Sequence, residues 1–284
     1  MRDEFHDAAT SHKTRRSALQ SLLGATATSL SLLVPGAAVQ ASGVTGDPML
    51  AESSDELREH LQRCLGGPWP DFGPLQDRVE RTEQLDGFQR HYLSYQVEPT
   101  ERIGAWLLIP DGASANSPAP GICVWHQHAG QYDVGKDEPA GVRSPNFGEM
   151  HMTGAALARE GYVVLCPDAA GFGERNRSPN REVRTLQGRD LEHYLFGLQV
   201  VAGRCLAWKN ISDMRRAVSL LAARPEVRAE RLGCYGHSMG STHTWMVGPW
   251  EPRLKALVGN CCMPTYAAME RTSLIHCFPN YVPG

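Results

Sequence analysis

The feature that most constrains the fold is the run Gly-His-Ser-Met-Gly at residues 236–240, which matches the pattern Gly-x-Ser-x-Gly. In this pattern a serine lies on a sharp turn between a strand and a helix, and the flanking glycines let the two elements cross closely. The context fits, because an apolar run at 232–235 precedes the turn and a helix-forming run at 239–247 follows it. The sequence therefore predicts a nucleophile elbow that exposes the hydroxyl of Ser238. The alternative is a glycine-rich turn that carries a surface serine.

Strand-like and helix-like segments alternate through most of the chain. The predicted strands are 88–97, 103–109, 120–125, 162–166, 232–235 and 254–258. The predicted helices are 54–65 with Ser54 as N-cap, 149–160 ending before Gly161, 190–206, 213–224 with Ser212 as N-cap, and 239–247. Because alternating strands and helices build parallel sheets, the pattern predicts an α/β fold, with a mostly parallel sheet and helices on both faces. The first two strands are expected to form an antiparallel pair, and the site is expected at the carboxyl ends of the parallel strands.

Composition excludes several classes of protein. The net charge of −3 and the pI near 6.4 give no electrostatic signature of nucleic-acid binding. We find no segment with the length of a clear membrane span, and no signal of oligomeric state. Three of the eight cysteines, Cys123, Cys166 and Cys234, lie in apolar runs, which indicates buried thiols rather than disulfides or a zinc site. We therefore expect neither a metal nor a cofactor.

The first 41 residues have the pattern of an export signal. Arg15 and Arg16 precede a mildly apolar stretch at 18–34, and small residues at 39–41 suit a signal peptidase. This arrangement is similar to twin-arginine signals, although such signals usually have phenylalanine where this chain has Ala18. We expect cleavage after Ala41 and a periplasmic or secreted product; the alternative is a disordered tail on a cytoplasmic protein. Residues 42–74 are then a connector with one short helix, and 75–284 are the α/β domain.

Four segments carry a resemblance to a known family. They are His126-Gln127-His128 after the third predicted strand, 168–173 after the fourth, 213–218 in the helix before the elbow, and 236–240. With them the chain resembles the α/β-hydrolase superfamily, and more narrowly bacterial serine esterases of the dienelactone hydrolase and acetyl xylan esterase type. The resemblance implies hydrolysis of a small acyl or acetyl ester through an acyl-serine on Ser238, with the ester as the only expected partner.

The resemblance also implies an oxyanion hole made by two backbone N–H groups. One donor is the N–H of Met239, directly after the nucleophile. The other is the N–H of His128, or that of Gln127 if the loop is offset by one residue. This chain has glutamine where the family often has glycine.

Other polar residues at the strand ends allow more than one interpretation. His126 and His128 are two residues apart and could face one metal, but no third ligand stands out in the sequence. Asp168 could be the acid of a catalytic triad, although the pattern Asp-x-x-Gly-x-Gly is more typical of a turn in which aspartate bonds its own backbone. Five arginines follow, and they are expected on a solvated loop or, alternatively, on a cap that recognises an acidic substrate. They are Arg175, Arg177, Arg181, Arg184 and Arg189.

The acid and base of a triad are not evident after the elbow. In this fold the order is serine, acid and histidine, with the last two on loops after strands beyond the elbow. We interpret the chain as C-terminally incomplete, lacking its last strands, with the acid and base beyond Gly284. His276, with Glu270 or Glu251 as its acid, is the candidate base within the chain. The alternative functions are a serine peptidase of the prolyl oligopeptidase type and a truncated, non-catalytic homologue.

Overall fold

The computed structural model describes residues 53–142, 150–178, 180, 182, 184–261, 263–272 and 281–282. The predicted export signal at 1–41 and the candidate base His276 lie outside these ranges, so both stay predictions. Within these ranges, no helix combines the length and the apolar character that crossing a bilayer requires.

A seven-stranded sheet forms the centre of the fold. Its strands are β1 Arg78–Leu85, β2 Phe88–Glu98, β3 Glu101–Pro110, β4 Ala119–Trp125, β5 Val163–Pro167, β6 Val227–His237 and β7 Leu254–Asn260. Their spatial order is β1-β2-β3-β5-β4-β6-β7. The first three strands pair antiparallel, β3 pairs antiparallel with β5, and β5, β4, β6 and β7 are all parallel. The mostly parallel sheet and its antiparallel opening pair are thus confirmed.

Helices cover both faces of the sheet, as predicted. They are α1 Ser54–Leu65, α2 Asp137–Ala140, α3 Thr153–Arg159, α4 Gly188–Val201, α5 Leu206–Ala222, α6 Met239–Val247 and α7 Tyr266–Thr272. One apolar core joins the sheet to α5 and α6, with Trp208 and Met246 among its members. The second core lies on the other face and includes Ala140 and Ala158 from α2 and α3. Burial of apolar surface on both faces is what stabilises such a layered fold.

Two predicted helix caps are wrong. Helix α5 begins at Leu206 rather than at 213, so Ser212 lies inside it and is only 1% exposed. The reason is tertiary: Trp208 and Ile211 are buried in the core, and this packing outweighs the local preference of serine for a cap. In α1 the cap is Ser53, whose hydroxyl accepts from the backbone N–H of Glu56 while the Glu56 carboxylate accepts from the Ser53 N–H. This reciprocal pair places the cap one residue earlier than predicted.

Candidate active site

Ser238 lies on a nucleophile elbow. It joins the end of β6 to the start of α6 with φ 54° and ψ −117°, a conformation that non-glycine residues rarely adopt. The Ser238 N–H donates to the Asn260 carbonyl at 3.0 Å, which ties the turn to the end of β7. Strained backbone of this kind costs roughly 1–3 kcal/mol and persists only where its surroundings enforce it. The predicted elbow is therefore present.

The two glycines of the elbow are required by close backbone contacts. A Cβ atom on Gly236 would overlap the carbonyl oxygen of Gly240, and one on Gly240 would overlap the carbonyl oxygen of Trp125. Backbone atoms cannot move aside as a flexible side chain can, so both positions exclude a side chain. The second contact also shows that the first turn of α6 lies directly against the end of β4.

The predicted oxyanion loop, residues 126–132 directly after β4, leaves the sheet beside the elbow. Strands β4 and β6 are parallel and pair Trp125 with Gly236, so the residues after each strand emerge side by side. The N–H groups of a first helical turn have no partner within their helix, and the N–H of Met239 belongs to this group. The helix dipole adds positive potential at the same end. A developing negative charge between α6 and this loop would therefore be stabilised.

His126 fixes the orientation of the peptide that precedes His128. Its Nε2 accepts the Ala169 N–H at 3.0 Å, so the ring proton is on Nδ1, which donates to the Gln127 carbonyl at 2.9 Å. Burial lowers the pKa of His126, which keeps the ring neutral and able to accept. Because C=O and N–H point in opposite directions across a trans peptide, the His128 N–H faces away from the His126 ring.

His128 is engaged with the loop and with helix α4. Its Nδ1 accepts the Gly130 N–H at 3.0 Å, and its Nε2 lies 3.6 Å from a carboxylate oxygen of Glu192. Both nitrogens of His126 and Nδ1 of His128 are thus used, which leaves this pair poorly suited to a metal. Among the described residues, no group of three or more histidine, cysteine, aspartate or glutamate side chains could bind a metal ion.

Asp168 forms a turn, as the sequence favoured, and also a buried ion pair. One carboxylate oxygen accepts the Glu174 N–H at 3.2 Å and contacts the Lys136 ammonium at 2.8 Å, while the other accepts the Lys136 N–H at 2.7 Å. Burial alone would lower the pKa of Lys136, but the neighbouring charges of Asp168 and Glu174 raise it above its ordinary value. Asp168 thus acts as an anchor for the loop that contains Ala169.

The expectation of a solvated arginine loop is wrong for Arg175. Its guanidinium pairs with Glu101 at 2.7 Å and with Asp213 at 2.9 Å. Burial opposes the charge, but these two carboxylates outweigh it and raise the pKa. Arg175 is therefore unavailable to a substrate. Arg177, Arg184 and Arg189 are exposed as predicted, and Arg181 lies outside the described residues.

Glu251 is in the wrong place to be a triad acid. It precedes β7, whereas Ser238 follows the parallel neighbour β6, so the two residues lie at opposite edges of the sheet. Its carboxylate is buried and pairs with Arg253 at 2.6 Å. The other proposed acid, Glu270, is exposed on α7.

Two further histidines belong to the elbow itself. His237 precedes Ser238, and its Nδ1 accepts from the Asn260 side-chain amide at 2.9 Å. His243 is 3% exposed within α6, and burial followed by the proximity of His126 lowers its pKa to about 3. An imidazole with this pKa is a very weak base at neutral pH, so His243 is unsuited to act as the general base.

A polar pocket opens beside the oxyanion loop. Its volume is about 330 Å³, and its lining residues include Gln131, Tyr132, Asp133, Asn176 and Gln187. Asn176 is fixed in this wall, since its amide donates to Asp133 at 2.7 Å and its carbonyl accepts the Gly188 N–H. The sequence carried no signal for this pocket, because its walls come from loops far apart in the chain.

Known proteins share this sequence pattern. The pattern of the dienelactone hydrolase family matches residues 105–262, more than half of the chain, including the oxyanion loop and the elbow. The chain is also 27% identical over 235 residues to a Bacillus subtilis protein named "Putative hydrolase YtaP". That match covers 81% of this chain and 72% of the relative.

Solved structures share the fold at low sequence identity. A Bacteroides fragilis protein named as a "putative acetyl xylan esterase" has a TM-score of 0.57 at 17% identity, covering 71% of this chain and 50% of that one. A glucuronoyl esterase from Solibacter usitatus has a TM-score of 0.53 at 15% identity, covering 83% of this chain and 66% of that one. The chain therefore spans between half and two-thirds of the length of these two structures. The similarity confirms the predicted fold class.

Proposed function

Because the chain belongs to the dienelactone hydrolase family, we propose that it hydrolyses a small carboxylic ester through an acyl-serine on Ser238. The observation that carries the proposal is the strained turn at Ser238, with φ 54° between β6 and α6 and glycines at the two positions that exclude a side chain. Strain of this kind is retained where it serves to expose a reactive group.

The proposed reaction has two steps. The Ser238 hydroxyl oxygen attacks the ester carbonyl, the bond to the alcohol oxygen breaks, and the alcohol leaves with a proton. Water then attacks the acyl-serine, which releases the carboxylic acid and restores the hydroxyl. In both steps the backbone N–H groups of Met239 and His128 bind the oxyanion.

Serine needs a general base, and four described histidines of the elbow and the oxyanion loop are unsuited to this role. His126 and His128 use their acceptor nitrogens on backbone N–H groups, and His237 uses Nδ1 on Asn260. His243 is buried in α6 and neutral. We therefore propose that the base comes from the loops after the strands that follow the elbow, as is usual in this fold.

We place the alcohol portion of the ester in the polar pocket beside the loop. Its wall offers amide, phenol and carboxylate groups, including Gln131, Tyr132 and Asp133. Such groups hydrogen-bond hydroxyl groups well, which favours a polar, hydroxylated alcohol over a long aliphatic one.

Turnover of an aryl acetate by the full-length protein tests the assignment. Ser238→Ala should lower kcat by at least about a thousandfold and leave thermal stability nearly unchanged, because only the nucleophilic oxygen is removed. The matched control is Ser219→Ala, on the distant helix α5, where the hydroxyl donates to the Arg215 carbonyl and accepts from the Arg253 guanidinium. An equal loss of kcat in both variants, or retained activity in Ser238→Ala, would contradict the assignment of Ser238 as the nucleophile.

A further inference from the structure

Glu192 is a buried carboxylate that the proposed reaction does not use. It lies on α4 and is 0% exposed, although a carboxylate is normally found at the surface. Removing such a charge from water is costly unless specific partners compensate it. The partners of Glu192 therefore indicate why a carboxylate is present at this position.

Both partners of Glu192 belong to the oxyanion loop. One carboxylate oxygen accepts from the Tyr132 hydroxyl at 3.0 Å, and the same oxygen lies 3.6 Å from Nε2 of His128. The other oxygen accepts no hydrogen bond from the part of the chain that the structure describes. The carboxylate is thus directed at the loop.

The proton on His128 is placed by its other contact. Because Nδ1 accepts the Gly130 N–H, the neutral ring carries its proton on Nε2, the nitrogen that faces Glu192. The ring also packs edge-on against Tyr132 and Phe172, with centroid distances of 4.8 and 5.0 Å. A backbone hydrogen bond at Nδ1 and the aromatic rings thus hold the His128 ring, and Nε2 faces the Glu192 carboxylate at 3.6 Å, beyond hydrogen-bond distance.

The backbone that this ring supports is strained. Ala129 has φ 45° and Gly130 has φ 69°, so two consecutive residues are in the left-handed region. A non-glycine residue occupies this region only when its surroundings stabilise it. The hydrogen bond from the Gly130 N–H to the His128 ring closes this turn. The turn directly follows the backbone N–H of His128, which is the second oxyanion donor.

We propose that Glu192 is a positioning residue, which orients the His128 ring and thereby the turn that carries the second oxyanion donor. The proposal rests on the proposed function, because a donor matters only if an oxyanion forms. Glu192 contacts no reacting atom and acts through His128 and Tyr132.

Three variants of the full-length protein test the proposal through kcat and KM on an aryl acetate. Glu192→Leu should lower kcat by about 10- to 100-fold while KM changes by less than about threefold, since the oxyanion exists only in the transition state. Glu192→Gln should recover kcat to within about threefold, because its amide oxygen can still accept from Tyr132 and a side chain of the same size still faces His128. Asp190→Asn, an exposed change on the same helix, should leave both constants unchanged.

The outcomes separate this proposal from the assignment of Ser238. If the wild type turns over ester and Glu192→Leu matches it, or if Glu192→Gln is no better than Glu192→Leu, the positioning role is overturned. If Glu192→Leu does not fold, Tyr132→Phe replaces it, and an unchanged kcat in that variant also overturns the role.

Nitrogen NMR of the His128 ring gives a readout that does not depend on activity. The wild type should carry the proton on Nε2, and Glu192→Leu should show a mixture of tautomers, because a ring that Glu192 no longer orients loses the Gly130 N–H at Nδ1. A wild type without esterase activity but with this signature would contradict the proposed function and support the positioning role. An unchanged tautomer in Glu192→Leu would contradict the positioning role alone.

Discussion

The elbow and the oxyanion loop lie side by side at the carboxyl edge of the sheet, but different parts of the chain determine their shapes. The elbow is defined within residues 236–240, where the glycines allow backbone to contact backbone. The loop after β4 is defined by groups that are distant in the chain. The Ala169 N–H donates a hydrogen bond to His126 from 43 residues away, and Glu192 on α4 faces the His128 ring. Steric exclusion therefore shapes one half of the candidate site, and side-chain hydrogen bonds from other elements shape the other half.

The largest expected effect is at a glycine of the elbow. Gly236→Ala places a Cβ on the Gly240 carbonyl, so it should destabilise the protein by about 4 kcal/mol or prevent folding. Urea denaturation measures the change. The control is Gly197→Ala in α4, where nothing lies within 4 Å of an added Cβ. That change should stabilise the protein by about 0.5–1 kcal/mol, because alanine favours a helix over glycine. Similar effects at both positions would show that backbone contact does not shape the elbow.

A smaller effect, a loss of kcat, is expected when a residue of the oxyanion loop is replaced. His126→Leu removes the bonds to Ala169 and to the Gln127 carbonyl, so the peptide that precedes the His128 N–H is free to rotate. We expect kcat to fall by about 100-fold, or about 2.7 kcal/mol, with KM nearly constant. Steady-state kinetics on an aryl acetate measures this, with His60→Leu on exposed α1 as the control. A loss expressed in KM alone would mean that the loop binds the ground state and not the oxyanion.

The smallest effect is a pH dependence at His243, which lies in the elbow helix. Its pKa is about 3 when folded, against an ordinary value of 6.5, so between these values the unfolded chain binds more protons. The stability that its neutral form provides is therefore complete above about pH 6.5 and is lost as the pH falls, by up to about 1.4 kcal/mol per unit.

Denaturation of wild type and His243→Leu at several pH values measures this slope. Between about pH 6 and about pH 5, the unfolding free energy of the wild type should fall by about 1 kcal/mol relative to that of His243→Leu. His60→Leu, a change at an exposed position of α1, is the control and should show no such shift. A constant difference for His243→Leu would mean that the ring is not buried in neutral form.

The same contrast explains what the sequence could predict. The buried parallel strands and the elbow were predicted because apolar runs and paired glycines are local signals. Strand β1 was missed, since most of its residues are exposed and show no alternation. The N-cap at Ser212 was wrong because core packing extends α5 past it. The orientation of His126 and the roles of Lys136 and Glu192 depend on contacts between distant segments, for which a single sequence carries no signal.

The most direct test of this account is a crystal structure of the full-length protein after treatment with a fluorophosphonate. The reagent should modify the Ser238 oxygen, and the phosphonyl oxygen should lie about 2.7–3.1 Å from the backbone nitrogens of Met239 and His128. The Gln127 carbonyl should remain bonded to His126. Modification of another residue, or a phosphonyl oxygen bound by Gln127 N–H in place of His128, would contradict the account.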